Sequence, residues 1–511
     1  MPWQGENSDM RHTFFSRVII LSVFLASGIL KADGITITNN LKLSGYSFWQ
    51  FGQIVKGDNS GKPIEHQWTN GALLGFTIEA NPIERLKLVL SPEFKLNYPF
   101  PEDFNHPETV RPFGLAYINN ACGILTFLGD PEKPILELAT GMFTYKYNPD
   151  VRHLGEFLFR TGTYPMYILT DFDFAKTRLV GLRLTTNPID NLHADVLLTS
   201  EAFIYPLYDF SLSGIIDYKL FDAIDIGGGI DFARLIPVVK SKTSPKFTKE
   251  DKPAGYNQYI KTNGIDTGYY SFKATKIMGR LSIDIKHFFG SPKFFGDEDL
   301  KLYGEIMLED PFKNFDARSM TDSTGRDTTG YPAIYNEPGR RMPMMIGLNL
   351  PTHQFTSYCI LPGVLAFALE GKNQYRLKKM FSFETAGLIT GFASWLLDKY
   401  LGSNTRLDLI SFELEYFPSM LPNEYGSVVN QLSPIPTISG GVGAYNPNDY
   451  NDGAWRWSIY AKKSLVKGLS ITGMASFDHL RTTYWNGATQ FFSCMNKKGQ
   501  WHWDAKIGYS F

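Results

Sequence analysis

The sequence predicts an all-β chain closed into a transmembrane, antiparallel up-and-down barrel of about sixteen strands. Three observations predict it. Segment after segment alternates apolar and polar residues with a period of two. Short connections alternate with long ones. Beyond the N-terminal region no apolar run reaches the roughly 18 residues a membrane helix needs, so any crossing is made by strands. Composition agrees. The chain has 511 residues, with 39 Phe, 27 Tyr and 46 Gly, and its mean hydropathy is only −0.17. That combination favours β structure over a bundle of membrane helices. Lys and Arg number 50 against 51 Asp and Glu, a net charge of −1 that lacks the basic surplus nucleic-acid binding requires. With 43% hydrophobic and 20% charged residues the chain is not disordered.

The first segment, 1–32, reads as an export signal, with Met10 as the expected start. Arg11, His12 and Arg17 form a basic region, followed by the apolar stretch Val18–Leu30, too short to span a bilayer. Ala26 with Gly28 suits one cleavage site and Ala32 another. The three cysteines, Cys122, Cys359 and Cys494, are far apart and form no CxxC, so they read as isolated thiols.

Strands are predicted near 35–50, 71–80, 86–97, 113–126, 135–146, 177–186, 191–200, 209–218, 223–234, 275–287, 299–309, 342–350, 406–417, 454–463, 469–481 and 500–511. The clearest alternate without a break. Ile277, Gly279, Leu281 and Ile283 oppose Met278, Arg280, Ser282 and Asp284; Phe412 and Leu414 oppose Ser411, Glu413 and Glu415; Trp501, Trp503, Ala505, Ile507 and Tyr509 oppose His502, Asp504, Lys506, Gly508 and Ser510. A slip of one residue would turn Arg280 onto the apolar face at about 2–4 kcal/mol in mid-bilayer, which fixes the register. Phe48, Trp49, Tyr98, Phe100, Tyr145, Phe288 and Phe289 fall at strand ends, where interfacial girdles sit.

Short joints are expected at Asn81–Arg85, Gly129–Pro134, Asn187–Asn191, Lys219–Ala223 and Ser464–Gly468. Two of them share the pattern Asn-Pro-Ile, read as turn-starting because proline biases its predecessor away from helix. Long joints fall near 51–68, 98–111, 147–176, 202–208, 236–274, 310–341, 418–452 and 483–498. Long loops on one rim and short turns on the other put the long side outside the cell. Segment 351–405 breaks the rhythm. It is read as a periplasmic insertion, with Phe392, Trp395 and Leu396 at helical spacing; the alternative is two more strands, making eighteen.

The inward parity carries Glu79, Lys87, Glu93, Lys95, Arg183, Asp195, Asp225, Asp231, Arg280, Asp284, Glu305, Arg456, Lys462 and Asp504. So many charges argue for a water-filled lumen, and because both signs are present, strong anion or cation selectivity does not follow from the wall. Gly227-Gly228-Gly229 within a strand reads as a bend or a close backbone approach.

The export signal, the alternating strands, the short-turn and long-loop rhythm and the terminal Phe511 together resemble bacterial outer-membrane general porins. The resemblance implies that the third long loop, 147–176, folds into the lumen and narrows it. That loop carries Arg152, His153, Glu156, Arg160, Asp171 and Asp173, which with the wall residues Arg183, Asp195, Arg280, Asp284, Glu305 and Lys462 make the expected pore lining. Phe157, Leu158 and Phe159 favour a loop packed inside over an exposed one. The resemblance further implies recognition of the C-terminal strand by barrel-assembly machinery, and homo-oligomers.

No GxSxG, HExxH or GxxxxGK[ST] occurs, so no enzymatic activity is expected. No cofactor or metal is expected either: Asn446–Gly453 is oxygen-rich but lacks EF-hand spacing. Asp478 and His479, adjacent on a strand, face opposite ways. The expected function is passive diffusion of small hydrophilic solutes, with the lipid bilayer as partner. The alternatives are a selective channel, for instance for oligosaccharides stacking on Tyr164, Tyr167 and Trp68, and a plugged structural or adhesive barrel.

Overall fold

The computed structural model describes residues 35–38, 40–56, 58–59, 62–63, 65–66, 68–98, 113–159, 177–200, 210–236, 256–262, 265–271, 274–290, 295–309, 311, 319–321, 327–329, 339, 342–352, 407–416, 455–477, 483–486, 490–493 and 499–511. Among them sixteen strands make the wall: β1 Leu41–Lys56, β2 Trp68–Ile83, β3 Leu86–Tyr98, β4 Phe113–Asp130, β5 Lys133–Tyr145, β6 Thr177–Ile189, β7 Leu192–Ser200, β8 Phe210–Leu220, β9 Ile224–Ile236, β10 Ala274–Asp284, β11 Lys301–Glu309, β12 Met344–Leu350, β13 Leu409–Tyr416, β14 Trp455–Val466, β15 Leu469–Phe477 and β16 Trp501–Ser510. Each pairs antiparallel with its neighbours in sequence, and β16 pairs with β1 from Tyr46↔Ser510 to Lys56↔Trp501, closing the sheet. The predicted strands all appear, most within a few residues of their expected ends.

The seam is finished by two further pieces. Phe511 exchanges backbone hydrogen bonds with Gly45, at 2.9 and 3.0 Å. Beyond it, Ile35–Thr38 pairs with Leu41–Leu43, so β1 has a partner along its whole length and offers no open edge there. The Phe511 ring covers Gly45: a Cβ at that position would lie 2.4 Å from it.

Polarity across the wall is the reverse of a water-soluble sheet. On β3, Leu88, Leu90 and Phe94 point out and are exposed, while Ser91 and Glu93 point in and are buried; Phe94 is 51% exposed and Glu93 4%. The same holds for Ile216 against Ser211 and Ser213, Ile277 and Leu281 against Lys276 and Arg280, and Ile459 against Arg456 and Ser458.

Four expectations change. Asn81-Pro82-Ile83 and Asn187-Pro188-Ile189 belong to β2 and β6; the turns themselves are Glu84–Arg85 and Asp190–Asn191. The ladder shifts register at both Asn-Pro sites, and a residue without an N–H fits where the ladder is already interrupted. Tyr145 is no girdle residue, since it is buried with its hydroxyl on Asp195. Phe48 faces inward, with the Lys506 ammonium 4.8 Å over its ring. Finally, the strand expected to run to 287 ends at Asp284, and a 3-10 turn follows, Ile285–Phe289, whose Lys286 ammonium is held by Asp284 and the Asp297 carbonyl. Segment 351–405, except for 351–352, lies outside the described residues, as do Phe100, Cys359, Cys494 and 446–453.

The apolar core sits inside the barrel. Val151, Leu154, Phe157, Leu158 and Phe159, from the connection after β5, pack on Phe143, Leu179, Leu197, Ile215, Met278, Met307 and Met345 of the inner wall.

Candidate functional site: a loop tied across the bore

After Tyr145 the chain leaves β5 and crosses to the far wall. The inward parity of β11 and β13 presents Glu305, Glu413 and Glu415 there, because these strands alternate without a break through that stretch. Six consecutive backbone N–H groups, from Arg152 to Phe157, donate to those three carboxylates. Glu413 accepts from Arg152 at 2.5 Å, His153 at 2.9 Å and Leu154 at 2.7 Å. Glu415 accepts from Gly155 at 2.9 Å. Glu305 accepts from Glu156 at 3.1 Å and Phe157 at 2.8 Å.

Consecutive N–H groups converge only where the backbone coils tightly, and Gly155 and Glu156 take left-handed φ values of 78° and 60°. Charge-assisted bonds of this kind contribute about 1.5–3 kcal/mol each. They also help explain how these wall carboxylates tolerate burial, since amide dipoles satisfy their oxygens.

Side chains complete the attachment. Tyr147 donates to Glu305, and Asn148 Nδ2 reaches the same carboxylate at 3.1 Å. Burial, together with the charges of Glu305 and Glu156, pushes the Tyr147 hydroxyl well above its ordinary pKa, so it stays a donor. Its oxygen accepts the Leu158 N–H at 2.9 Å. The Lys276 ammonium donates to the Leu158 carbonyl at 3.1 Å, and Arg152 pairs with Glu298, beyond β10, at 2.8 Å.

Comparison with known proteins follows from this geometry. No family model matches the chain, and no curated protein matches it in sequence. Its structural neighbours are bacterial outer-membrane porins. OprB of Pseudomonas putida at high pH aligns over 92% of this chain and 94% of its own, with 9% identity and a TM-score of 0.45. OmpF of Salmonella typhi, solved with daunomycin, aligns over 94% and 100%, with 12% identity and a TM-score of 0.42. The outer membrane channel DcaP of Acinetobacter baumannii aligns over 94% and 99%, with 9% identity and a TM-score of 0.39. Similarity this distant adds nothing to the argument, and the fold stands on the strand ladder itself.

The residues expected to line a pore divide into groups. Arg152, His153, Glu156 and Glu305 come together in the tie just described. Glu156 serves within the loop: its carboxylate accepts the Asn148 N–H at 2.8 Å. Arg160, Asp171, Asp173, Tyr164 and Tyr167 lie outside the described residues.

Asp195 is buried and accepts from Tyr145 at 2.7 Å, Thr185 at 2.5 Å and His193 at 3.1 Å. Arg280 crosses over Gly227 to Asp217, at 2.6 Å, and to Asp225, at 3.2 Å. This is the close approach that the glycine run implied, because a Cβ on Gly227 would lie 2.3 Å from the Asp217 carboxylate. Arg183 lies 3.5 Å from Glu137, and Asp284 holds Lys286. Lys462 sits on the inward row between Leu409 and Thr472.

The buried inward charges on β7–β13 are thus largely held by partners, so their number does not by itself require water around each of them. Trp68 points outward, 5.7 Å from Trp503, and offers no stacking face to the bore. Sequence reasoning missed Asp217, Tyr147, Tyr303, Glu413 and Glu415 as site residues. Glu413 and Glu415 had a readable signal, two acids on the polar parity of one strand.

Proposed function

We propose that this chain spans the bacterial outer membrane and forms a channel for passive diffusion of small hydrophilic solutes, narrowed by the loop after β5. The reversed polarity supports the membrane reading. A belt of exposed Leu, Ile, Val and Phe around a closed wall is far larger than the few hundred Å² a soluble monomer tolerates, and it matches hydrocarbon. The inward charges that stay exposed support an aqueous inside. Toward the short-turn rim, His193, Lys87 and Glu79 remain open to solvent, their side chains 42%, 41% and 31% exposed.

One observation carries the channel reading: a loop tied by six consecutive amides to the opposite wall crosses the bore at a defined place. Such a strut sets a fixed aperture. Its mechanism is sieving by size, with charged walls orienting dipolar solutes in passage. The test is reconstitution of the purified chain into a planar bilayer. Discrete, ohmic current steps are expected, unaffected by added oligosaccharide. Absence of current would identify a plugged barrel, and concentration-dependent block by sugar would identify a selective channel.

A further inference from the structure

The acid that takes three of the six loop amides is itself braced. Tyr303 on β11 donates to Glu413 Oε1 on β13 at 3.0 Å and lies 2.6 Å from the Ser411 hydroxyl. Between those strands lies β12, and the residue in register with both Tyr303 and Glu413 is Gly347. The tyrosine ring occupies the space a side chain at 347 would fill: a Cβ there would lie 2.2 Å from the ring and 2.7 Å from the hydroxyl oxygen. The absence of a side chain is therefore what lets a tyrosine reach across an intervening strand. The same arrangement occurs once more on the described wall, where Tyr46 on β1 crosses Gly75 on β2 to donate to Glu93 on β3.

Glu413 faces the loop. Its Oε1 receives both the Tyr303 hydroxyl and the Arg152 amide, and its Oε2 receives His153 and Leu154. A glutamate side chain has three rotatable bonds, and holding it in one rotamer costs entropy the loop must otherwise supply. A hydroxyl fixed on a rigid ring orients the carboxylate before the loop arrives.

We propose that Tyr303, given passage by Gly347, is a positioning residue: it orients Glu413 for the loop amides and so fixes the aperture of the channel. The assignment rests on the channel reading for its functional meaning, though the bracing of the loop is testable without it.

The experiment uses the folded full chain with Tyr303→Phe, which keeps the ring and removes only the hydroxyl, and Gly347→Ala, which displaces the ring. Ile346→Val, on the outward face beside it, is the control. Two readouts are taken: the rate of trypsin cleavage after Arg152 in detergent, and open-channel current noise in planar bilayers. Both variants are expected to be cut about ten-fold faster than wild type, the scale of one hydrogen bond to a charged group, and to show larger current fluctuations. The urea midpoint of Tyr303→Phe should stay near that of the control, while Gly347→Ala, whose new methyl meets the buried Tyr303 ring, should unfold at lower urea. Cleavage and noise at wild-type values in folded Tyr303→Phe overturn the proposal, whether or not Gly347→Ala folds. If wild type carries no current, the channel reading fails while the cleavage comparison still decides whether Tyr303 secures the loop.

Discussion

Glu413 and Leu154 are 259 residues apart in sequence, yet the Glu413 carboxylate accepts the Leu154 amide at 2.7 Å. Two neighbouring amides meet the same side chain, so one wall residue fixes the direction in which the loop runs across the barrel. The contact joins a segment that leaves β5 to the strand eight places further along the closed sheet, roughly half the circumference.

Replacing that acid should free the loop. Glu413→Ala leaves three amides without their acceptor, at about 1–3 kcal/mol for each group left unsatisfied, and the Tyr303 hydroxyl keeps only Ser411 as a partner. Single-channel recording is expected to show larger mean conductance and frequent switching between levels, with the barrel still folded. Glu413→Gln, which retains one acceptor oxygen, is expected to fall between the two.

Gly227 should tolerate no side chain without loss of the Arg280 bridge. In Gly227→Ala the new methyl would lie 2.3 Å from Asp217 and 2.5 Å from Arg280. Both groups must move, and burial makes a weakened pair costly; a loss of about 1–3 kcal/mol is expected. Urea titration of the protein refolded in lipid vesicles measures it, and Gly228→Ala, whose nearest contact is an unstrained 3.6 Å, supplies the reference.

The closing seam gives a third expectation. Gly45→Leu should expel the Phe511 ring from its seat and lower the yield of folded barrel about as much as Phe511→Ala does. Heat-modifiable migration in gels reports the folded fraction. Wild-type yield for Gly45→Leu would mean that the ring can seat elsewhere.

Outward and inward positions should differ in kind. Ile216→Arg, set in the middle of β8 with its side chain outward, is expected to cost about 2–4 kcal/mol in a bilayer. Lys87→Leu, inward near the short-turn rim and part of a solvent-open pair with Glu79, should change stability little. Vesicle-based urea titration compares them.

Much of the wall was legible because the period of two is a local property. Arg280 and Leu281 announce opposite faces from sequence alone. The Asn-Pro sites were misplaced because a proline that begins a turn and one that fills a bulge share the same neighbours. Tyr145 and Phe48 were assigned to girdles because strand-end position says nothing of the face; parity counted from Glu137 and from Tyr46 would have turned both inward. Trp68 failed for the same reason. The loop tie was not legible at all. It is made by backbone amides, which every residue possesses, and by acids about 150 and 260 positions away whose role depends on closure of the sheet. What sequence could show was the pressure for it: Phe157, Leu158 and Phe159 adjacent in a polar connection.

Nitroxide scanning of β8 in lipid vesicles tests the arrangement at its root. A label at Leu212, Gly214 or Ile216 should collide freely with oxygen dissolved in the hydrocarbon, and a label at Ser211, Ser213 or Ile215 should be shielded from it. An oxygen profile that alternates strictly along the strand is the expected result. A flat profile, or one with a helical repeat, would contradict a wall with hydrocarbon on one side and polar groups on the other.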